Sequence, residues 1–304
     1  RTHAPGAIAL YENGIIREAN EQFARMYGYR LPEVIGRPIA DFVAPQDHER
    51  VRQAIASDEA HVGEYRALRK DGSEFRLEVQ AYYSEQNGRS VRVAAQRDIT
   101  LRKQLEDTQT FLVQCGYPGS GEDFFESLAR YLADSLAMNY VCIDRLEGDG
   151  LTAQTVAIYN NGGFEANVSY ALKDTPCGDV VGKSICCFPN DVSRLFPRDT
   201  ALQALNADSY IGTTLWSFDG KPIGLIAVIG RTPLKNPALA EAVLKLVAVR
   251  AAGELERKRM EEALRHSQAE LERRVLERTA ELAAVNAELR LQSAALQAAA
   301  NGIM

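Results

Sequence analysis

The chain has 304 residues, 46% hydrophobic and 25% charged, with a formal charge of −6. This is globular composition, long enough for two domains and a further element, and too apolar for disorder. Lys and Arg are scattered without a basic cluster, so nucleic acid and anionic membranes find no electrostatic footprint. No run approaches the roughly eighteen consecutive apolar residues of a membrane span. The N-terminus lacks a signal-peptide core. Five cysteines, an odd count, point to reduced thiols and a cytoplasmic setting. A start at Arg1 without Met and a hydrophobic ending at Ile303-Met304 suggest a piece of a longer protein.

Residues 7–11 and 15–19 read as two strands joined by Asn13-Gly14, a dipeptide suited to positive φ at both centres of a tight turn. Asn20 is placed to cap a helix over 21–27. Gly28, Pro32, Gly36 and Pro38 then break the chain into short turns, before a helix over 47–55 with Val51 and Ile55 on one face. Segments 64–69, 73–83 and 90–97 alternate as strands around turns at Lys70-Asp71-Gly72 and Asn87-Gly88. Two strands, short helices and three strands imply an antiparallel sheet with helices on one face, an α+β arrangement.

Five motifs carry a resemblance here: Ile15-Ile16-Arg17-Glu18-Ala19-Asn20, Tyr27-Gly28-Tyr29, Val34-Ile35-Gly36-Arg37-Pro38, Arg69-Lys70-Asp71-Gly72 and Arg97-Asp98-Ile99-Thr100. Together they resemble PAS sensory domains of the S-box type. The resemblance implies that Asp98 and Thr100 hand conformational change to the following helix; an ordinary helix cap needs the same atoms. Haem-binding relatives carry an iron-ligating His where this chain has Val51, with His48 on another face, which argues against haem. No cysteine precedes Cys115, which excludes a flavin photoadduct. Phe23, Met26, Phe42 and Val51 are candidates to line a pocket for a small apolar or anionic ligand, although filling the core is the plainer role for all four.

From residue 105 onward, helical segments around Phe111 and over 124–136 flank a break at Gly116-Tyr117-Pro118-Gly119. Strands follow at 140–146, 152–159 and 168–172, then loop and short helix over 174–196, and a hairpin of 209–218 and 222–231 around Asp219-Gly220. Thr175-Pro176-Cys177, Phe188-Pro189-Asn190-Asp191-Val192, Leu195-Phe196-Pro197-Arg198-Asp199, Ser209-Tyr210-Ile211-Gly212 and Asp219-Gly220-Lys221-Pro222-Ile223-Gly224-Leu225 resemble GAF domains of bacterial sensors. That family's cyclic-nucleotide signature is missing, as is a Cys-His pair for attaching a bilin, so neither ligand is expected. Cys177, Cys186 and Cys187 could form a redox switch or hold a metal, but no His lies nearby and their spacing lacks the usual two-residue interval. Buried small hydrophobes are the expected role, and no metal.

The last stretch, 244–296, is helical in pattern and free of proline. Leu264, Leu271, Val275, Leu282, Val285, Leu289 and Leu296 fall on the two seam positions of one heptad frame, with Gln268, Arg278 and Gln292 as polar seam residues. Leu255 and Met260 fit only after a phase slip, which reads as a stutter. Glu254 with Lys258, Glu261 with Arg265 and Glu270 with Arg274 are spaced to pair. A parallel homodimer is expected.

The domain expectation is a PAS domain over 1–104, a GAF domain over 105–253, a coiled coil over 254–297 and the start of a further PAS domain over 298–304, where Ala298-Ala299-Ala300-Asn301-Gly302-Ile303-Met304 resembles one. Catalytic motifs are absent: no phosphate-cradling glycine loop with Lys, no nucleophile elbow, no zinc-ligand helix. His266 lacks the surroundings of a kinase phosphoacceptor. The piece is therefore expected to be non-enzymatic, the input region of a two-component histidine kinase or, slightly less favoured, a diguanylate cyclase. A ligand-free dimerisation and spacing scaffold is the alternative, and any cofactor is undetermined.

Overall fold

A computed structural model describes residues 6–57, 59–86, 89–116, 123–148 and 150–301. The turn expected at Asn87-Gly88, the break at Tyr117-Pro118-Gly119, the closing Gly302-Ile303-Met304 and the side chain of Leu296 lie outside what is described. Contacts divide the chain into two compact units, Arg1–Gln114 and Cys115–Met304.

In the first unit the chain runs β1 (Ala7–Glu12), β2 (Ile15–Ala19), α1 (Glu21–Tyr27), α2 (Leu31–Val34), two 3₁₀ turns, α3 (His48–Ala56), β3 (His61–Leu68), β4 (Glu74–Gln86), β5 (Arg89–Asp98) and α4 (Thr100–Gln114). The sheet is antiparallel in the order β2-β1-β5-β4-β3. Asn13 and Gly14 take φ of 52° and 75°, so the turn forms as its residues require. Asn20 does more than the capping expected of it. Its Oδ1 accepts from the Phe23 backbone N–H at 2.9 Å and from Ile8 N–H at 3.1 Å, and its Nδ2 donates to the Gly6 carbonyl, tying α1 to β1. Asp47 ties α3 to β3 in the same way, accepting from the Arg66 N–H at 2.8 Å and from Arg50 at 2.9 Å. Burial works against its charge, yet these donors hold the carboxyl below the usual range.

The second unit runs α5 (Phe124–Leu136), β6 (Tyr140–Glu147), β7 (Thr152–Asn160), β8 (Gly163–Phe164), β9 (Ser169–Ala171), α6 (Pro176–Val180), β10 (Cys186–Phe188), α7 (Val192–Leu195), α8 (Thr200–Leu205), β11 (Ser209–Trp216), β12 (Pro222–Gly230) and α9 (Pro237–Asn301). Its sheet has the order β10-β11-β12-β6-β7-β8, with β9 also on β7. Both sheets are antiparallel and flanked by helices, so the α+β expectation holds, with one long closing helix. Beside the short strand β8, two further details differ from expectation. Segment 174–196 contains an edge strand, β10, whose Cys186, Cys187 and Phe188 pair with Gly212, Ile211 and Tyr210. The helix α8 was not anticipated; Asp199 caps it, accepting from the Ala201 and Leu202 N–H groups.

α9 plays two parts. Ala240, Val243, Leu244, Val247, Ala251 and Leu255 are buried at helical spacing against the sheet. Beyond Leu255 every seam side chain described is exposed. Leu255 is therefore no seam residue: it sits against Gly224 of β12, and polar contacts to the domain continue as far as Glu262, which pairs with Arg145 of β6 at 3.3 Å. Two expected pairs change partners. Glu254 takes Arg257, Arg257 also takes Glu261, and Lys258 reaches back to Asp123, the cap of α5, at 2.5 Å. Glu270 pairs with Arg274 as spaced.

Candidate functional site

Between the inner sheet face of the first unit and α3 lies a cavity of about 50 Å³. The alternation of β5 turns Arg92, Ala94 and Gln96 inward, and β4 adds Leu77, Val79 and Ala81. Gln96 is buried and satisfied at both ends: its Oε1 accepts from Tyr27 Oη at 2.8 Å and its Nε2 donates to Tyr11 Oη. Burial pushes both phenols above their ordinary value, so they stay protonated. Of the four side chains proposed for a pocket, Val51 lines this cavity. Phe23 and Phe42 are fully buried instead, in an aromatic cluster with Tyr27, at ring separations of 4.7 to 5.7 Å. Met26 packs half-buried against the same core. His48 Nε2 lies 2.9 Å from the Val43 carbonyl, a local contact.

Asp98 and Thr100 meet at the junction of β5 and α4. Asp98 Oδ1 accepts from the Thr100 N–H at 2.9 Å, while its Oδ2 takes Arg69 Nη2 at 2.7 Å. Thr100 Oγ1 accepts from the Arg76 N–H at 3.0 Å. The start of α4 is thus bonded to β4 and to the turn before it. Arg69 also donates to the Met26 carbonyl at the end of α1, so one arginine links the helix side of the domain to its exit.

In the second unit a polar network is buried where sequence reasoning anticipated none. Asp144 on β6 is fully buried, accepting from Cys142 Sγ at 2.8 Å and Tyr170 Oη at 2.8 Å. Burial raises its carboxyl to about 6, restrained by those two donors. Tyr210 Oη donates to Cys177 Sγ at 3.3 Å, and burial, with Asp144 nearby, pushes the Cys177 thiol up to about 12. Cys186 and Cys187 are half-buried, their thiols raised by burial first. Raised thiols oppose the thiolate a redox switch needs. Among the described residues no three His, Cys, Asp or Glu side chains group as metal ligands. An open groove of about 980 Å³ runs along Leu172, Thr175, Gly178, Phe196 and Arg198.

On α9, Leu264, Leu271, Val275, Leu282, Val285 and Leu289 are 53% to 63% exposed. Among the described residues no helix is long and apolar enough to cross a membrane.

Residues 5–101 match the family model described as PAS domain. The N-terminal segment belongs to the PAS family. The PAS domain of an HTR-like protein from Haloarcula marismortui is 32% identical over 32% of this chain and 83% of its own, with a TM-score of 0.29. The chromophore-binding domain of Stigmatella aurantiaca bacteriophytochrome, in a Thr289His mutant, is 12% identical over 83% of this chain and 94% of its own, with a TM-score of 0.42. That of an unusual bacteriophytochrome from R. palustris is 12% identical over 84% and 97%, with a TM-score of 0.43. No curated protein matches the chain. The PAS segment is followed by a second helix-flanked antiparallel sheet.

Proposed function

We propose that this chain is the non-catalytic input region of a cytoplasmic signalling protein, with a PAS domain over 1–104, a GAF domain over 105–253, a dimerising coiled coil over 254–297 and a further PAS domain beginning at 298. A signal received in either sensory domain shifts the packing of sheet against helices. Two parallel copies of α9 then rotate, slide or splay to reach an output domain, a histidine kinase in preference to a diguanylate cyclase.

One observation carries this reading: beyond Glu262, which still pairs with Arg145 of β6 at 3.3 Å, α9 runs on with an apolar stripe from Leu264 to Leu289 in water. A lone helix of about 15 residues is already marginal, and an unpartnered stripe of this length is stable only against another helix. Asp98 and Thr100 supply the coupling at the PAS exit. The fully buried Phe23, Tyr27 and Phe42 favour the alternative of a ligand-free spacing scaffold.

Disulfide trapping tests the relay. In a parallel dimer, Leu282→Cys should cross-link to itself within minutes under mild oxidation, and Glu281→Cys, one step off the seam, far more slowly. Equal rates at both positions would contradict the parallel seam.

A further inference from the structure

Arg92 is a buried cation. Only 5% of it is exposed, and among the described residues no carboxylate pairs with it. A single nitrogen, Nη1, makes its hydrogen bonds, to the carbonyls of Ala54 and Ser57 at the end of α3 and to Tyr83 Oη at 3.3 Å. Those carbonyls form the negative end of the α3 dipole, which offsets part of the charge. Nε and Nη2 meet no acceptor among the described residues, although a guanidinium presents five donors in a planar fork suited to a carboxylate. Arg92 lines the cavity described above, whose other walls are mainly apolar, including Val51, Ile55 and Val79. Burying an unpaired charge there is costly unless something completes it.

We infer that this cavity binds an acetate-sized monocarboxylate, its two oxygens on the free edge of the Arg92 guanidinium and its methyl group against Val51, Ile55 and Val79. Size limits the choice: about 50 Å³ is a third of the volume that holds a benzene ring, so a longer chain or a dicarboxylate does not fit. Chemistry limits it too, since Gln96, Tyr11 and Tyr27 are already engaged with one another and leave one cationic fork beside an apolar wall. This inference rests on the sensory reading of the PAS domain and names its ligand.

The test is titration of the whole chain with sodium acetate, followed by the Nε–Hε resonance of Arg92 and by calorimetry, with sodium chloride at equal ionic strength and acetamide as controls. Acetate should saturate with a dissociation constant on the order of 1 mM, a fair affinity for four heavy atoms. Arg92→Met, which removes the charge, and Val79→Phe, which fills the cavity and keeps Arg92, should each weaken binding at least about tenfold. Acetamide binding as tightly as acetate, no saturation by about 50 mM, or unchanged affinity in Val79→Phe would each overturn the site. Sedimentation of the same sample separates the two claims: a dimer that ignores acetate refutes the ligand alone, and a monomer that binds it refutes the relay.

Discussion

Asp144→Asn should stabilise the second unit at neutral pH, and the effect should vanish in acid. The folded carboxyl holds its proton to about 6, whereas the unfolded chain releases it near 3.8. Because the folded value is the higher one, the wild type is favoured fully below 3.8, loses stability as pH rises from there to about 6, and is flat above. A gap of about two pH units corresponds to about 3 kcal/mol. Asn places a carbonyl and an amide where Cys142 Sγ and Tyr170 Oη now donate, and the Tyr170 hydroxyl can accept in turn, so most of the hydrogen bonding survives. We expect a net gain of about 2 kcal/mol at pH 7.5, or about 4 to 8 °C in Tm for a unit of this size. The assay is urea unfolding between pH 4 and 8, read from the fluorescence of Trp216, the chain's one tryptophan, at the end of β11. Subtracting the wild-type curve from the Asn curve removes the other titrating groups. A difference that is constant with pH, or a variant less stable than wild type at pH 7.5, would refute the argument.

Three other outcomes follow from the same geometry. Asp98→Ala should cost the PAS domain about 1 to 2 kcal/mol, from the lost cap of Thr100 and the lost Arg69 pair, and raise deuterium exchange in the first turn of α4; Asp98→Asn keeps the cap and should cost less. Gly224→Ala should leave no folded second unit, seen as low soluble yield and red-shifted Trp216 emission, because its Cβ would stand 2.3 Å from the Asp144 carbonyl oxygen, a backbone atom that cannot step aside. Alkylation by N-ethylmaleimide at pH 7.5, mapped by mass spectrometry, should mark Cys186 and Cys187 well before Cys142 and Cys177, which are buried with thiols held further above their ordinary value.

Features written in short local spacing were legible from the residues alone. Asn13-Gly14, the Asn20 cap and the helix from Pro237 onward each depend on neighbours a few positions away. Features set by strand register were not. Arg92 and Asp144 look like surface charges in sequence, and only pairing of β5 with β1 and β4, and of β6 with β7 and β12, turns them inward. β10 has three residues, too few for a periodic signal, and exists because β11 offers it an edge. In sequence Leu255 reads as part of a slipping heptad because helix-on-sheet and helix-on-helix stripes share nearly the same period, and only burial separates them. Of the pocket lining only Val51 was legible: aromatic side chains at Phe23 and Phe42 mark the core, while the cavity opens beside them, under α3.

The central claim is that α9 meets a second copy of itself. Sedimentation equilibrium of the whole chain at micromolar concentration should give twice the chain mass of 33.5 kDa, and Leu282→Glu with Leu289→Glu should return it to 33.5 kDa with both domains folded. A wild-type chain that sediments at 33.5 kDa, or a double variant that remains at twice that mass, would contradict the account.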